Sequence, residues 1–208
     1  MRLILASTSP RRREILALLG LPFEVIEPCF EERVSAHLSV EEEVLAFAFG
    51  KAQSVAVSHR DAIVIGGDTM IVLEGEKMGK PSDLDDARRM LRTLAGKCHQ
   101  IYTGVAVIDG ANAGASRMVA RVDVRMRQVS DNEVIDYLAS NESLDKAGAY
   151  SIQGKGERLI ESIHGDYLAA VGMPLKPIAD YLTGRGIILP LDVDQLYARK
   201  SCFNWNKF

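Results

Sequence analysis

The sequence predicts an α/β domain, on three observations. Short apolar runs alternate with amphipathic stretches that open on helix-capping residues. Ala62-Ile63-Val64-Ile65 is apolar without a break, as in a strand buried on both faces. Residues 116–127 set Val122, Val124 and Met126 against Asp123, Arg125 and Arg127, the period of a strand with one wet face.

The first element is the short apolar run Leu3-Ile4-Leu5, read as a strand. Ser7-Thr8-Ser9-Pro10 follows, where Ser9 can cap a helix and Pro10 suits its first position. Ile15, Leu16, Leu18 and Leu19 form the apolar stripe of that helix, and Gly20 with Pro22 ends it. Arg11, Arg12 and Arg13 therefore fall in its first turn. A helix N-terminus already carries partial positive charge and unpaired N–H groups, so cations there are unfavourable unless an anion answers them. Backbone N–H groups, the Ser7 and Ser9 hydroxyls and the guanidinium forks together suit a phosphate. On spacing alone, a solvated surface turn explains the arginines equally well. No glycine-rich loop ending in Gly-Lys-Ser/Thr is present, which argues against a P-loop nucleotidase.

Phe23 to Ile26 alternates like a strand, and Glu31-Glu32-Arg33 reads as a polar loop. Ser39 and Glu42 make a capping box for a helix reaching about Val57, with Val44, Leu45, Ala48, Ala52 and Val55 as its buried stripe and Lys51 at the stripe's edge. The run from Ala62 is expected to stop at Gly66-Gly67-Asp68-Thr69 and to resume at Met70 to Leu73. A carboxylate just past a buried strand is where open α/β sheets put ligands. Lys80-Pro81 closes the segment, Ser82 with Asp85 starts another helix, and Gly96 ends it. Strands are expected at about 99–108 and 116–127, then a helix capped by Ser130 and Glu133. The loop Asp145 to Gly154 comes next, with glycines that let backbone approach a ligand. A strand near 159–163, a turn at His164-Gly165-Asp166 and a helix after Pro174 complete the pattern.

The whole chain sets outer bounds. Its 208 residues, 47% hydrophobic and 25% charged, suffice for one large domain with a full core. A net charge of −3 argues against a general nucleic-acid binder and makes the arginine cluster a local feature. Cys29, Cys98 and Cys202 lack metal-type spacing and fit reduced thiols in a cytoplasmic protein. No apolar run reaches membrane-crossing length, and the start MRLILAS turns polar too soon for a signal peptide, so the expected location is cytoplasmic.

Taken singly, Asp68 and Glu32 read as turn and loop residues. Taken in order, Ser-Thr-Ser-Pro-Arg-Arg, the acidic pair, the helix lysine, Gly-Gly-Asp-Thr, Lys-Pro and Asp-Lys-Ala-Gly-Ala-Tyr-Ser-Ile-Gln-Gly form a series. Over roughly residues 2–185 this series resembles the Maf family of nucleoside triphosphate pyrophosphatases. The resemblance implies a mixed, elongated central sheet flanked by helices, with two lobes around a cleft, similar to the inosine triphosphate pyrophosphatases. It also implies hydrolysis of a nucleoside triphosphate to the monophosphate and pyrophosphate with a divalent metal, Mg²⁺ or Mn²⁺.

Carried over, Asp68 matches the family's catalytic proton acceptor, and Glu32, Lys51 and Lys80 match its other catalytic positions. Asp68 and Glu32 are the expected metal carboxylates. Lys51, Lys80 and the arginines would neutralise phosphate oxygens, with Ser7 and Ser9 as hydroxyl donors. Within the family, Arg12, Thr69 and Gln153 resemble the branch acting on dTTP and UTP. The 7-methyl-GTP branch carries Trp, Gln and Glu instead. A Gln amide offers the donor and acceptor that the O4/N3–H edge of uracil or thymine needs. These three residues are expected to converge on one base.

A second function, associated with the family through septum formation, is a nucleotide-binding regulator of division without catalysis. Gly67, Met173 and Gly50 depart from the family's common residues without an expected effect on the chemistry. The pyrophosphatase domain is placed at 1–186. The tail 187–208, with Trp205, matches nothing in the family, and packing on the domain, a homodimer contact or disorder all remain open for it.

Overall fold

The computed structural model describes residues 2–35, 37–110 and 114–208. Two strands near the N-terminus show how the sequence divides the core. In β1 (Arg2–Ala6), Leu3 and Leu5 enter one hydrophobic cluster while Ile4 and Ala6 enter another. In β3 (Ala62–Leu73), Ile63 and Ile65 join the first cluster and Ala62 and Val64 the second. Successive side chains of a strand point to opposite faces, so an unbroken apolar run is a strand covered on both sides.

The remaining strands are β2 (Glu24–Val25), β4 (Glu76–Met78), β5 (Cys98–Asp109), β6 (Gly114–Met126) and β7 (Ile160–His164). They form one seven-stranded sheet ordered β2-β1-β3-β5-β6-β7, with β4 beside β3. Pairing of β1 with β2 and β3 is parallel and the other pairings are antiparallel, so the sheet is mixed and flanked by helices, as expected.

One face is covered by α2 (Val40–Ala56), whose capping box at Ser39 and Glu42 is formed as expected. Glycines bring it close. A Cβ on Gly66 of β3 would lie 2.3 Å from the Ala48 carbonyl oxygen, and one on Gly104 of β5 would lie 2.5 Å from that of Val44. The larger cluster on the other face contains residues of α1 (Pro10–Ala17), α3 (Leu84–Leu94), α4 (Asp131–Leu138), α5 (Tyr167–Val171), α6 (Leu175–Gly184) and α7 (Val193–Arg199).

Three expectations are corrected. Gly66 to Thr69 does not interrupt the strand: β3 runs through it, because β5 pairs with every residue from Ile63 to Val72. The cap of α3 is Asp83, which accepts from the Asp86 N–H, and not Ser82. Asp166 is a helix cap and not just a turn residue, accepting from the Leu168 and Ala169 N–H groups to start α5.

The tail packs on the domain. Val193, Leu196, Cys202 and Trp205 are buried in the larger cluster, and the Trp205 ring stacks on Tyr167 with centroids 5.4 Å apart. No helix among the described residues is long and apolar enough to cross a membrane.

Candidate active site

The pairing of β3 leaves a gap in the sheet. Its first half is bordered by β1 as far as Gly66, and β4 arrives only at Ile71. Gly67 to Met70 therefore pair with β5 alone, and their other edge is open. The strand alternation sends Asp68 to the α2 face and Thr69 to the opposite one.

On the α2 face, Lys51 of the helix reaches Asp68 with Nζ 2.6 Å from Oδ1 and Glu32 with Nζ 2.5 Å from Oε1. Lys51 and Asp68 are buried and Glu32 is half-exposed. Burial raises the Asp68 carboxyl above its ordinary range, against the pull of the Lys51 and Arg12 charges. Glu32 moves the other way. Partial burial opposes its charge, but the Lys51 hydrogen bond and the Lys51, Lys80 and Arg12 charges hold it below the usual range. Lys80 itself is exposed and acts on Glu32 through its charge.

The loop carrying Glu32 is held by residues the sequence reading passed over. The buried Glu43 carboxylate accepts from the Ser35 N–H at 2.5 Å and from Lys77 Nζ at 2.7 Å, while Lys77 also donates to the Ser35 and Leu38 carbonyls. Phe30 lies on Gly50 of α2, where a Cβ would fall 2.1 Å from its ring. Gly50 is thus a seat for Glu32's loop and not a neutral departure. The signal available was Glu43, which falls with Phe47 and Lys51 at i, i+4, i+8 on the buried stripe.

On the opposite face, Arg12 is fixed by three neutral acceptors. Nε donates to the Gly172 carbonyl at 3.0 Å, Nη1 to Ser7 Oγ at 3.3 Å and Nη2 to Thr69 Oγ1 at 3.2 Å. Thr69 Oγ1 lies 3.1 Å from Thr103 Oγ1, which donates to the Ala169 carbonyl at 2.8 Å. Burial lowers the Arg12 pKa, but among the described residues no carboxylate touches the guanidinium, so its positive charge is available to a ligand. Gly67 makes room for it: a Cβ there would lie 3.2 Å from Nε. This second departure also borders the site.

The other predicted residues are spread around this centre. Ser9 caps α1, its hydroxyl accepting from the Arg12 N–H. The Arg11 charge acts on Asp145 and Tyr137, across from the loop after α4. Arg13 is exposed, and its side chain makes no hydrogen bond or ion pair among the described residues. Gln153 donates its backbone N–H to Ser151 Oγ at 3.2 Å, and among the described residues no hydrogen bond joins its side chain to Arg12 or Thr69, which are bonded to each other.

Among the described residues no three side chains of metal-ligating type come together. Two carboxylates do, through Lys51, and each keeps a second oxygen for other ligands. That donor set fits Mg²⁺ or Mn²⁺ completed by substrate phosphates and water, because Mg²⁺ is commonly held by one or two carboxylates plus phosphate oxygens.

Comparison with known proteins places the chain in a family. The model described as Maf-like protein matches residues 2–185. The chain belongs to the Maf-like family. Among its relatives, a dTTP/UTP pyrophosphatase of Moorella thermoacetica is 44% identical over 186 residues, 89% of this chain and 96% of that one. A dTTP/UTP pyrophosphatase of Bacillus cereus (strain B4264) is 43% identical over 174 residues, 84% and 90% of the two chains. In fold, the chain is similar to the Ham1 protein of Staphylococcus aureus, with TM-score 0.51 and 15% identity over 89% of this chain and all of that one. The Maf-like match ends at residue 185, so α7 and the aromatic tail lie beyond it.

Proposed function

We propose that this Maf-like protein hydrolyses dTTP and UTP, and modified pyrimidine nucleoside triphosphates, to the monophosphate and pyrophosphate. The observation that carries the reading is Lys51 held between Glu32 and Asp68 at the open edge of β3, in a chain 44% identical to a dTTP/UTP pyrophosphatase.

The chemistry follows from the two faces. A raised-pKa carboxylate is a better proton acceptor than an ordinary one, so Asp68 takes a proton from the attacking water. The water oxygen bonds to phosphorus as the anhydride between the α and β phosphoryl groups breaks, and the electron pair leaves with pyrophosphate. Lys51 and Lys80 neutralise the charge that develops there. A divalent cation held by Asp68 and Glu32 would add Lewis-acid polarisation of phosphate oxygens and a more acidic water. Across the strand, Arg12 offers a fixed fork, Ser7, Ser9, Arg11 and Arg13 line the approach along α1, and Thr69 and Gln153 meet the nucleoside.

The test is pyrophosphate release from a panel of triphosphates with Mg²⁺ or Mn²⁺. The reading expects dTTP and UTP to lead and EDTA to stop the reaction. Equal rates on purines would remove the base assignment, and nucleotide binding without turnover would favour a regulator instead.

A further inference from the structure

Arg12 takes its orientation from backbone that a short helix presents. Its Nε donates to the Gly172 carbonyl at 3.0 Å, and its partner Thr69 is paired with Thr103, whose hydroxyl donates to the Ala169 carbonyl at 2.8 Å. Ala169 lies in α5, and Gly172 opens the turn Gly172-Met173-Pro174 that leads into α6. The helix α5 is only five residues long. A helix that short does not hold itself, so the place of both carbonyls depends on what fixes its ends.

One hydroxyl grips both sides of that turn. Tyr197 Oη donates to Asp166 Oδ2 at 2.9 Å, while Asp166 Oδ1 caps α5 through the Leu168 and Ala169 N–H groups. The same Tyr197 oxygen accepts from the Leu175 N–H at 3.2 Å and the Lys176 N–H at 3.3 Å. Those are the first two donors of α6, whose cap position is Pro174 and supplies no side-chain acceptor of its own. Burial raises the Tyr197 pKa, so the hydroxyl keeps the proton it shares with Asp166. The Tyr197 ring stands edge-on to Trp205 with centroids 4.9 Å apart, and Trp205 stacks on Tyr167, the first residue of α5. Tyr197 belongs to α7, outside the residues 2–185 that the family model matches.

We propose that Tyr197 is a positioning residue for substrate binding: its hydroxyl clamps the start of α5 to the start of α6 and so fixes the Gly172 carbonyl that aims the Arg12 guanidinium. The inference rests on Arg12 acting as a substrate-binding cation, as in the function proposed above. Without the hydroxyl the turn is free to shift, and Arg12 follows it through Nε. The guanidinium then keeps its charge and loses its aim. The loss falls on binding of the triphosphate more than on proton transfer at Asp68, on the other face of β3.

The experiment measures KM and kcat for UTP with Mg²⁺ in wild type, Tyr197→Phe, Asp166→Asn, Arg12→Met, the double variant Tyr197→Phe/Arg12→Met, and Lys207→Met. Tyr197→Phe keeps the ring against Trp205 and removes only the hydroxyl. Trp205 is the chain's single tryptophan, so its emission reports whether the tail is seated. Tyr197→Phe is expected to raise KM about fivefold with kcat within about twofold. Lys207→Met removes a tail contact away from the clamp, Nζ to Glu157 Oε1 at 2.6 Å, and should leave both constants alone.

In the Arg12→Met background Tyr197→Phe should lower kcat/KM no further, because Arg12 is the group through which it acts, whereas its cost in Tm should persist. Asp166→Asn reaches the clamp from its other end: the amide oxygen still caps α5, but the Tyr197 hydroxyl now faces an NH₂ and loses its acceptor. The same rise in KM is expected there, and this variant decides the matter if Tyr197→Phe does not fold. Equal losses with and without Arg12, or a matching rise in Lys207→Met, would overturn the proposal. Wild type without activity on UTP would overturn the substrate reading and the clamp together, while an active wild type whose KM is unmoved in both clamp variants would overturn the clamp alone.

Discussion

The two faces of β3 at its open edge are one residue apart in sequence and unlike in chemistry. On the α2 face, Asp68 sits in a charged trio with Lys51 and Glu32. On the other, Thr69 shares a network with Arg12, Ser7 and Thr103 whose acceptors are all neutral. The charged face is matched to proton transfer and phosphate charge, and the neutral-acceptor face holds a cation rigid without cancelling it. A strand lacking a neighbour on one side can thus serve two jobs from consecutive positions.

The largest expected break in this contrast is Asp68→Asn, which should cost about 10³-fold or more in kcat because the amide cannot accept the proton. It should also raise Tm at neutral pH. The folded state raises the Asp68 pKa, so the ionised carboxyl opposes folding, and the wild type loses stability as pH rises through the folded value. The Tm gain should vanish once the pH falls below the ordinary aspartate range. A Tm below wild type at pH 7 would mean that the Lys51 pairing outweighs the burial cost.

On the neutral-acceptor face, Arg12→Lys removes a fork that reaches three acceptors at once, and a point charge cannot replace it. The expected result is a KM for UTP raised roughly 10- to 100-fold with a smaller change in kcat. Gly50→Ala sharpens the other side. The new Cβ displaces Phe30 and with it Glu32's loop, so activity should fall about tenfold. Helix propensity should meanwhile add up to about 1 kcal/mol of stability, separating the two effects.

His99 gives a pH signature to the face that carries Arg12. It is fully buried, 2.7 Å from the Tyr150 hydroxyl, and burial pushes its pKa down to about 4. The unfolded chain takes up a proton near the ordinary histidine value while the folded one does not, so stability should fall by about 3 kcal/mol as pH drops from about 6.5 to 4. Denaturant melts of wild type and His99→Gln across that window should differ in slope, and equal slopes would place the dependence elsewhere. The smallest effect is expected from Gly67→Ala, which moves Arg12 by a few tenths of an ångström and should change kcat/KM for UTP by roughly twofold.

Much of this was legible in the sequence because it is periodic or local. The capping boxes at Ser39 and Ser130 formed as read, and the apolar alternation of β1 and β3 marked a sheet covered on both sides. What escaped depends on partners distant in the chain. Gly66 to Thr69 looked like a stop, yet pairing with β5 carries the strand through, and this pairing is what puts Asp68 and Thr69 on opposite faces. Gly50 and Gly67 acquire their roles only against Phe30 and Arg12. In the tail the local signal of α7, its cap Asp192 and its buried Val193 and Leu196, was passed over, and the residues after it take their order from partners distant in the chain, the Tyr167 ring and the Ile152 carbonyl.

The division of labour across β3 is most directly tested by the ratio of kcat/KM for UTP to that for GTP in two variants, Asp68→Glu and Thr69→Val. The account predicts that Asp68→Glu lowers both rates together and leaves the ratio within about twofold, whereas Thr69→Val lowers the ratio severalfold with the GTP rate nearly kept. A ratio that shifts in Asp68→Glu, or holds in Thr69→Val, would contradict it.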